Sequence, residues 1–283
     1  MKRWLTTTLA VLVCSAALRA DVTIVQTTTV EGGMASMAAS AGSGAPITPK
    51  ITTQIKGMKS RSDIETGPAT VATIIDLTTK QVIVLRPDQK TATMVSPAPP
   101  AATTPPAAGA PPAPGTPAGV DVTVTPTGKS QVLDGLKCDE YTFTTRMNMG
   151  EMSGRQLPPE AMQMMQGVMM LMEGSMWVAK ETPGAAEYLA FQKASATGAL
   201  GEAALTAAGV SLPGMEKLTK AMASVQGLPY LTEMTIKIEG TGQIAEMMKQ
   251  MGPMKVTTRV NSIKTDALSD DLFKVPEGYS VIK

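Results

Sequence analysis

The feature that most constrains the fold is an alternation of side chains between Tyr230 and Glu239. One set of alternate positions is mostly apolar and the other mostly polar or charged: Tyr230, Thr232, Met234, Ile236 and Ile238 against Leu231, Glu233, Thr235, Lys237 and Glu239. Successive side chains of a strand point to opposite faces of a sheet. The stretch therefore predicts a half-buried strand, and with it a sheet that has one wet face and one face in need of cover.

Other stretches show the same β-branched composition and are bounded by turn residues. We predict strands at 21–31, 50–56, 70–77, 81–85, 90–95, 120–132, 137–146 and 254–264, with Asp134-Gly135 as a hairpin turn. The end of the chain predicts a turn that docks Phe273 and Tyr279 before a last short strand. Nine or ten strands in antiparallel runs, with helices inserted between the late ones, indicate the α+β class.

A methionine-rich stretch from Leu157 to Lys180 predicts a helix followed by a strand. Pro158 and Pro159 suit a first helical turn, and steps of about 100° per residue gather one broad apolar arc. That arc holds Ala161, Met164, Met165, Val168, Met169, Leu171 and Met172. Glu173-Gly174 would end the helix, and Ser175–Ala179, with Trp177 at its centre, would form the strand.

Further helices are predicted at 185–208 and from Ser211 to about 226, and 243–251 is either a short helix or an elaborated hairpin connection. A curved antiparallel sheet must hide its concave face behind something. The helices between 157 and 226 supply that cover. The predicted architecture is therefore a curved sheet whose apolar face is closed by methionine-rich helices.

Residues 1–20 are typical of a signal peptide. Lys2 and Arg3 precede the apolar run Leu5–Ala17, and Ala20 precedes a plausible cleavage point, with Ala17 as a second one. Cys14 lacks the small residue that a lipobox wants before it. No other stretch approaches 18 uninterrupted apolar residues, so we expect no transmembrane span after leader removal. The product should be periplasmic or secreted.

A low-complexity Pro/Ala segment occupies 96–119. Such a composition neither forms a ladder nor buries a core, so it should be a disordered excursion. Strand patterns resume unchanged after it, which favours a loop over a linker between domains. We therefore expect a single domain over 21–283.

Charge and composition exclude several classes of function. Leader removal takes away Lys2, Arg3 and Arg19 and no acidic residue, which leaves a near balance of charge and argues against nucleic-acid binding. The chain has no histidine, which excludes Ser-His-Asp and Cys-His catalysis and histidine-ligated zinc. Only Cys138 survives processing, and a buried free thiol or an intermolecular disulfide are its two alternatives. We expect no enzyme, no cofactor and no metal centre.

Four short stretches occur in an order that resembles a known family: Asp134–Tyr141, Met176–Ala179, Gly227–Pro229 and Phe273–Tyr279. Together they resemble an uncharacterised family of secreted bacterial domains in the clan of the outer-membrane lipoprotein carriers LolA and LolB. The resemblance covers Asp21 to Ile282, apart from the Pro/Ala insert. It implies an unclosed β-barrel whose cavity is lidded by helices and, in the clan's known members, receives acyl chains. It does not imply that this chain carries lipoproteins.

The methionine stripe leaves three interpretations open. It could be ordinary core packing, a pocket for an apolar ligand that flexible thioethers accommodate, or a Cu(I) site that uses Met147, Met149 and Met152. Trp177 could be a pocket wall or a buried core residue. Adjacent carboxylates such as Asp139-Glu140 point to opposite faces of a strand, so they predict surface charge rather than an acid–base pair.

The function that these observations favour is a non-enzymatic, monomeric binding or carrier protein for an apolar ligand, such as a lipid or an acyl chain. Binding would bury apolar ligand surface reversibly beneath the helices. The alternative is an envelope protein-interaction module with a solid core, and methionine-based copper binding is a third. The candidate ligand-binding residues are Met164, Met165, Val168, Met169, Met172 and Trp177.

Overall fold

The computed structural model describes residues 21–33, 48–67, 69–95, 121–149, 167–196, 220–221 and 224–282. These residues form twelve strands and two α-helices. The strands are β1 (Val22–Gly32), β2 (Lys50–Lys56), β3 (Lys59–Thr66), β4 (Ala69–Asp76), β5 (Gln81–Arg86), β6 (Thr91–Val95), β7 (Asp121–Leu133), β8 (Leu136–Asn148), β9 (Met169–Ala179), β10 (Leu228–Glu239), β11 (Met254–Lys264) and β12 (Ser280–Ile282). The helices are α1 (Ala185–Ala196) and α2 (Gln243–Gln250).

All twelve strands belong to one sheet, in the order β12-β6-β5-β4-β3-β2-β1-β11-β10-β9-β8-β7. Every neighbouring pair is antiparallel except β12 with β6. The two end strands, β12 and β7, are not paired with each other, so the sheet is unclosed. The first strand pairs with β11 and thereby joins the early and late halves of the chain. A large antiparallel sheet of the α+β class is thus confirmed.

Most predicted strands are present, and one strand was missed. The hairpin of β7 and β8 turns at Asp134-Gly135, where both residues have positive φ (47° and 83°), as a type I′ turn requires. The missed strand is β3, in which charged side chains alternate with Ser60, Ser62 and Ile64. Small polar residues replace the expected apolar ones there, so no apolar period marks the strand.

The predicted methionine helix is wrong over all six of its described residues: Gly167 lies in a turn, and Val168 belongs to neither a helix nor a strand. Residues Met169 to Met172 form the start of β9, and Glu173 and Gly174 lie inside that strand rather than at a helix end. The run of apolar residues fits both periods, and pairing with β8 on one side and β10 on the other decides for strand. The Ser175–Ala179 strand is confirmed. Predicted helical residues 157–166 lie outside the described residues.

Helix α1 confirms the first half of the predicted 185–208 helix, and the rest lies outside the described residues. Phe191 of α1 is buried in a core with Val22, Ile24, Ile55, Leu228, Tyr230 and Val260. The helix thereby bridges β2 and β10, which are separated in the sheet by β1 and β11. Helix α2 shows that the first of the two alternatives for 243–251 is correct; it buries Ala245 and packs against β10.

The segment after β11 covers the sheet at β4, β5 and β6. A short 3₁₀ helix, Asp270–Phe273, is capped by the Ser269 hydroxyl, which accepts from the backbone N–H of Asp271 at 3.2 Å. Phe273 is buried among Ala72, Ile74, Ile83, Leu85 and Ala92, and Tyr279 packs against the same cluster. The docking of both aromatic residues is thus confirmed. Lys56 and Arg61 hold the segment by donating to the carbonyl oxygens of Leu268 and Leu272 at 2.6 and 3.2 Å.

Within the described part of the chain, neither helix is long and apolar enough to cross a membrane. The expected signal peptide at 1–20 and the expected loop at 96–119 lie outside the described residues.

Candidate functional site

The structure does not gather the predicted ligand-binding residues on one face. Met164 and Met165 lie outside the described residues. Val168 is fully buried just before β9, and the other three lie on β9. Met172 points to one face of the sheet, whereas Met169 and Trp177 are an odd number of residues away and point to the other. Trp177 is half-buried and packs against the core that holds Phe191.

Another set of methionines does converge, across neighbouring strands. Residues that pair directly across an antiparallel ladder point to the same face. Met147 pairs with Met170, which pairs with Ile238. In the next row of the sheet, Thr145 on β8 pairs with Met172 on β9, Met172 pairs with Ile236 on β10, and Ile236 pairs with Met254 on β11. A third row runs from Phe143 through Gly174 and Met234 to Val256.

A fourth row pairs Tyr141 with Met176 and Met176 with Thr232. The apolar residues of these rows, together with Thr145, define what we call the methionine face, on strands β8 to β11. Its members are Phe143, Thr145, Met147, Met170, Met172, Met176, Met234, Ile236, Ile238, Met254 and Val256. Met147, Met176 and Thr145 are buried, and the other methionines are half-buried. On β1 the face continues to Val30. Closer to the core around Phe191, the pairing register shifts in β1 between Val25 and Gln26 and in β10 between Pro229 and Leu231. These shifts interrupt the regular alternation of side chains between the two faces of the sheet.

The opposite face of the same strands carries charged side chains. Lys255 pairs with Glu233 at 3.3 Å, and Lys237 with Glu173, through side chains that are all roughly half-exposed. Arg146 on β8 is exposed on that side too. This face is therefore more polar than the methionine face, but it also buries Leu171, and Trp177 on it packs against the core around Phe191. The alternation predicted at 230–239 holds from Leu231 onward and fails at Tyr230, which lies at a register shift and belongs to that core.

One buried polar atom on the methionine face has no hydrogen-bond partner. The Thr145 side chain is only 1% exposed, and its hydroxyl has no hydrogen-bond partner. Its neighbours along and across the strands on that face are apolar: Phe143, Met147, Met172 and Val122. A buried hydroxyl without a partner is uncommon in proteins and costs free energy.

A cavity of about 310 Å³ lies at one end of β10. It is lined by Lys237, Ile238, Met248, Lys249, Gly252 and Pro253. Ile238 belongs to the methionine face, so the cavity adjoins the end of that face where Met170 and Met147 lie. Lys249 at its mouth is held by the carbonyl oxygen of Gly240 at 2.6 Å and by Glu246 at 2.9 Å.

A polar cluster is centred on the β7–β8 turn. The Tyr230 hydroxyl and the Arg259 guanidinium both donate to the same carboxylate oxygen of Asp134, each at 2.7 Å. The Arg259 guanidinium, with help from Tyr230, holds the pKa of Asp134 below its usual value. Burial, reinforced by the Asp134 carboxylate, raises the pKa of Tyr230 to about 12. A cavity of about 220 Å³ adjoins the cluster and is also lined by Thr182, whose hydroxyl is buried and without a partner.

A second polar cavity, of about 250 Å³, lies where β7 bulges between Pro126 and Ser130. Asp139 accepts from the Ser130 hydroxyl at 2.6 Å and pairs with Lys180 at 2.7 Å, and Lys180 lowers the pKa of Asp139. Glu140 pairs with Lys129 at 3.4 Å. Each of the two carboxylates thus pairs with a lysine of its own.

Cys138 is a buried free thiol, as one of the two expected alternatives has it. Burial and the nearby Asp139 carboxylate raise the pKa of that thiol. Of the proposed copper ligands, Met147 is buried on the methionine face, Met149 is half-buried just after β8, and Met152 lies outside the described residues. Among the described residues, no group of three or more His, Cys, Asp or Glu side chains is placed to hold a metal ion.

No known family model and no curated protein matches this chain. Two solved structures are similar to it over most of its length. One, a structure of PNGF-II in the C2 space group, is 11% identical with a TM-score of 0.36, over 93% of this chain and 30% of that one. The other, an uncharacterized conserved protein from Thermus thermophilus, is 9% identical with a TM-score of 0.35, over 94% of this chain and 91% of that one. At these scores neither similarity carries an argument about fold or function.

Sequence reasoning missed Met147, Met170, Met176, Met234 and Met254 as a group. They are scattered over about a hundred residues and converge only through strand pairing. The one available signal was the alternation at 230–239, which places Met234, Ile236 and Ile238 on the apolar side of their strand.

Proposed function

We propose that this protein is a non-enzymatic binding or carrier protein for an apolar ligand, such as a lipid or an acyl chain, and that the methionine face receives it. The observation that carries the proposal is the convergence of six methionines on four adjacent strands whose other face carries charged side chains. Methionine is unbranched and polarisable, so a methionine surface adapts to apolar molecules of different shape.

Burial of apolar surface supplies the driving force. At about 25 cal/mol per Å², a ligand that buries about 400 Å² gains roughly 10 kcal/mol before the costs of association. Half-buried methionines on β9, β10 and β11 supply contact surface, and the cavity at the end of β10 extends it. The same proposal includes export of the protein from the cytoplasm and a fold arranged like that of the outer-membrane lipoprotein carriers. The order of the four sequence motifs supports this part of the proposal.

A direct test is binding of the neutral dye N-phenyl-1-naphthylamine, whose fluorescence rises in apolar surroundings. We expect saturable binding that Met234→Gln weakens about tenfold, because the amide must lose water to be buried. The matched control is Thr235→Gln, at the next position of β10 on the opposite face. Equal affinities in both variants, or no saturable binding by the wild type, would contradict the proposal.

A second function, as a protein-interaction module, is favoured by the outer edge of β7. This strand is thirteen residues long, and none of the described strands pairs with its outer edge. Val132 near its end is 69% exposed. Pro126 and Lys129 oppose uncontrolled pairing along this edge. If this is the working surface, Val132→Asp should abolish capture of a protein partner from the envelope while Met234→Gln leaves capture unchanged.

A further inference from the structure

We propose that the Thr145 hydroxyl selects ligands that carry a carbonyl oxygen within an otherwise apolar chain, that is, neutral acyl esters or amides. The inference rests on the proposed function, because it names the chemical class that the methionine face would bind. It starts from the one polar side-chain atom on that face that is buried and unpartnered among the described residues.

The position of Thr145 argues for a ligand contact. It lies in the row that runs from Val122 through Met172 to Ile236, with Phe143 and Met147 as its neighbours along β8. None of these side chains offers a strong acceptor to the hydroxyl. Valine would fill the same space without the penalty of an unpaired polar group, so the hydroxyl is out of place unless something bonds to it.

The chemistry of a hydroxyl narrows the class of ligand. A buried oxygen that accepts too few hydrogen bonds is tolerated more readily than a buried hydrogen-bond donor without an acceptor. The Thr145 hydroxyl therefore needs an acceptor atom for its hydrogen. A carbonyl oxygen flanked by hydrocarbon meets that need while its neighbours contact the methionines. An ionised carboxylate does not fit, because Arg146, the next residue, points to the opposite face and burial of an unpaired charge is costly.

The experiment is a displacement assay with N-phenyl-1-naphthylamine as the reporter. Three competitors of similar chain length separate the ligand classes: methyl laurate, laurate anion and tetradecane. In the wild type we expect methyl laurate to displace the dye at lower concentration than laurate does. In Thr145→Val we expect the apparent affinity for methyl laurate to fall about 5- to 10-fold, the effect of one lost hydrogen bond, while tetradecane is unchanged.

Thr182→Val is the matched control, because Thr182 has the other buried and unpartnered hydroxyl among the described residues and lines the cavity beside the Asp134 cluster, away from the methionine face. Thr182→Val should leave the apparent affinities for methyl laurate and for tetradecane unchanged. Equal affinity of wild type and Thr145→Val for methyl laurate, or a preference for the laurate anion, would overturn the assignment while leaving the proposed function standing. A higher Tm of Thr145→Val with no change in any affinity would show a purely structural hydroxyl and overturns it as well. If no competitor displaces the dye from the wild type, the proposed function itself fails.

Discussion

Phe143 and Gly174 face each other across the β8–β9 ladder, and the absence of a side chain on Gly174 allows β9 and β10 to approach closely. A β-carbon on Gly174 would lie 2.1 Å from the carbonyl oxygen of Glu233 and 2.9 Å from the α-carbon of Met234. Both obstacles are backbone atoms of β10, which no side-chain rotation can move. The methionine face therefore depends on a glycine at its centre.

The first prediction follows from that contact. Gly174→Ala should destabilise the protein by about 2 kcal/mol, because the added methyl group forces two paired strands apart. Urea unfolding followed by circular dichroism measures the change. Ser175→Ala, one position along and on the opposite face, should cost much less. Similar losses in the two variants would contradict the steric explanation.

The second prediction concerns the helix that covers the core. Phe191→Ala should cost about 3 kcal/mol or more, because it removes a buried ring from between β2 and β10 and leaves a cavity. Lys193→Ala, on an exposed position of the same helix, serves as the control. Thermal unfolding of the two variants side by side tests the expectation, and an unchanged Tm for Phe191→Ala would show that α1 does not hold this core.

The third prediction concerns acid stability. The pKa of Asp134 is lowered in the folded state by Arg259 and Tyr230, so its contribution to stability is present above the unfolded pKa of about 3.9 and is lost as pH falls through the folded value. Asp134→Asn should flatten the loss of stability below about pH 4, because it removes the titrating group. Asparagine tolerates the positive φ of this turn, so the hairpin should persist.

Urea midpoints measured from about pH 2 to about pH 7 check the third prediction. Arg259→Met should also reduce the loss of stability below about pH 4, because the cation that lowers the pKa of Asp134 is gone. If both variants lose as much stability as the wild type when the pH falls below about 4, the Asp134 cluster contributes nothing to the pH dependence.

The fourth prediction concerns alkaline stability. Burial raises the pKa of Tyr188 to about 12, although Gln192 donates to its hydroxyl at 2.6 Å and opposes that shift. A group whose folded pKa is raised contributes stability that is full below the unfolded pKa of about 10 and is lost as pH rises to about 12. Tyr188→Phe should therefore reduce the loss of stability over that range.

Phenolate absorbance near 295 nm checks the fourth prediction. The native protein should show a titration step near pH 12 that is smaller in Tyr188→Phe, and the chain unfolded in urea should titrate near pH 10. A native titration with every tyrosine near pH 10 would contradict the burial of this side chain.

The strand patterns at β1, β2, β4, β5, β8, β10 and β11, the turn at Asp134-Gly135 and the docking of Phe273 could all be predicted from the sequence. Each depends on neighbours a few residues away, so local composition and period suffice. Strand β3 was missed because Ser60 and Ser62 stand where an apolar residue would mark the inner face. The methionine run at 169–172 was misassigned because local periodicity did not distinguish a strand buried between two neighbours from a buried helix.

The sequence by itself determined that the chain forms a β-rich α+β fold, that it has no histidine chemistry, and that one face of β10 is apolar. Tertiary structure alone decided which methionines meet. Met147, Met172, Met234 and Met254 come together through cross-strand register, and that register is set by hydrogen bonds between segments far apart in the chain. The same pairing buries Thr145 without a partner. This could not be predicted from the sequence, because the side chains around Thr145 come from other strands.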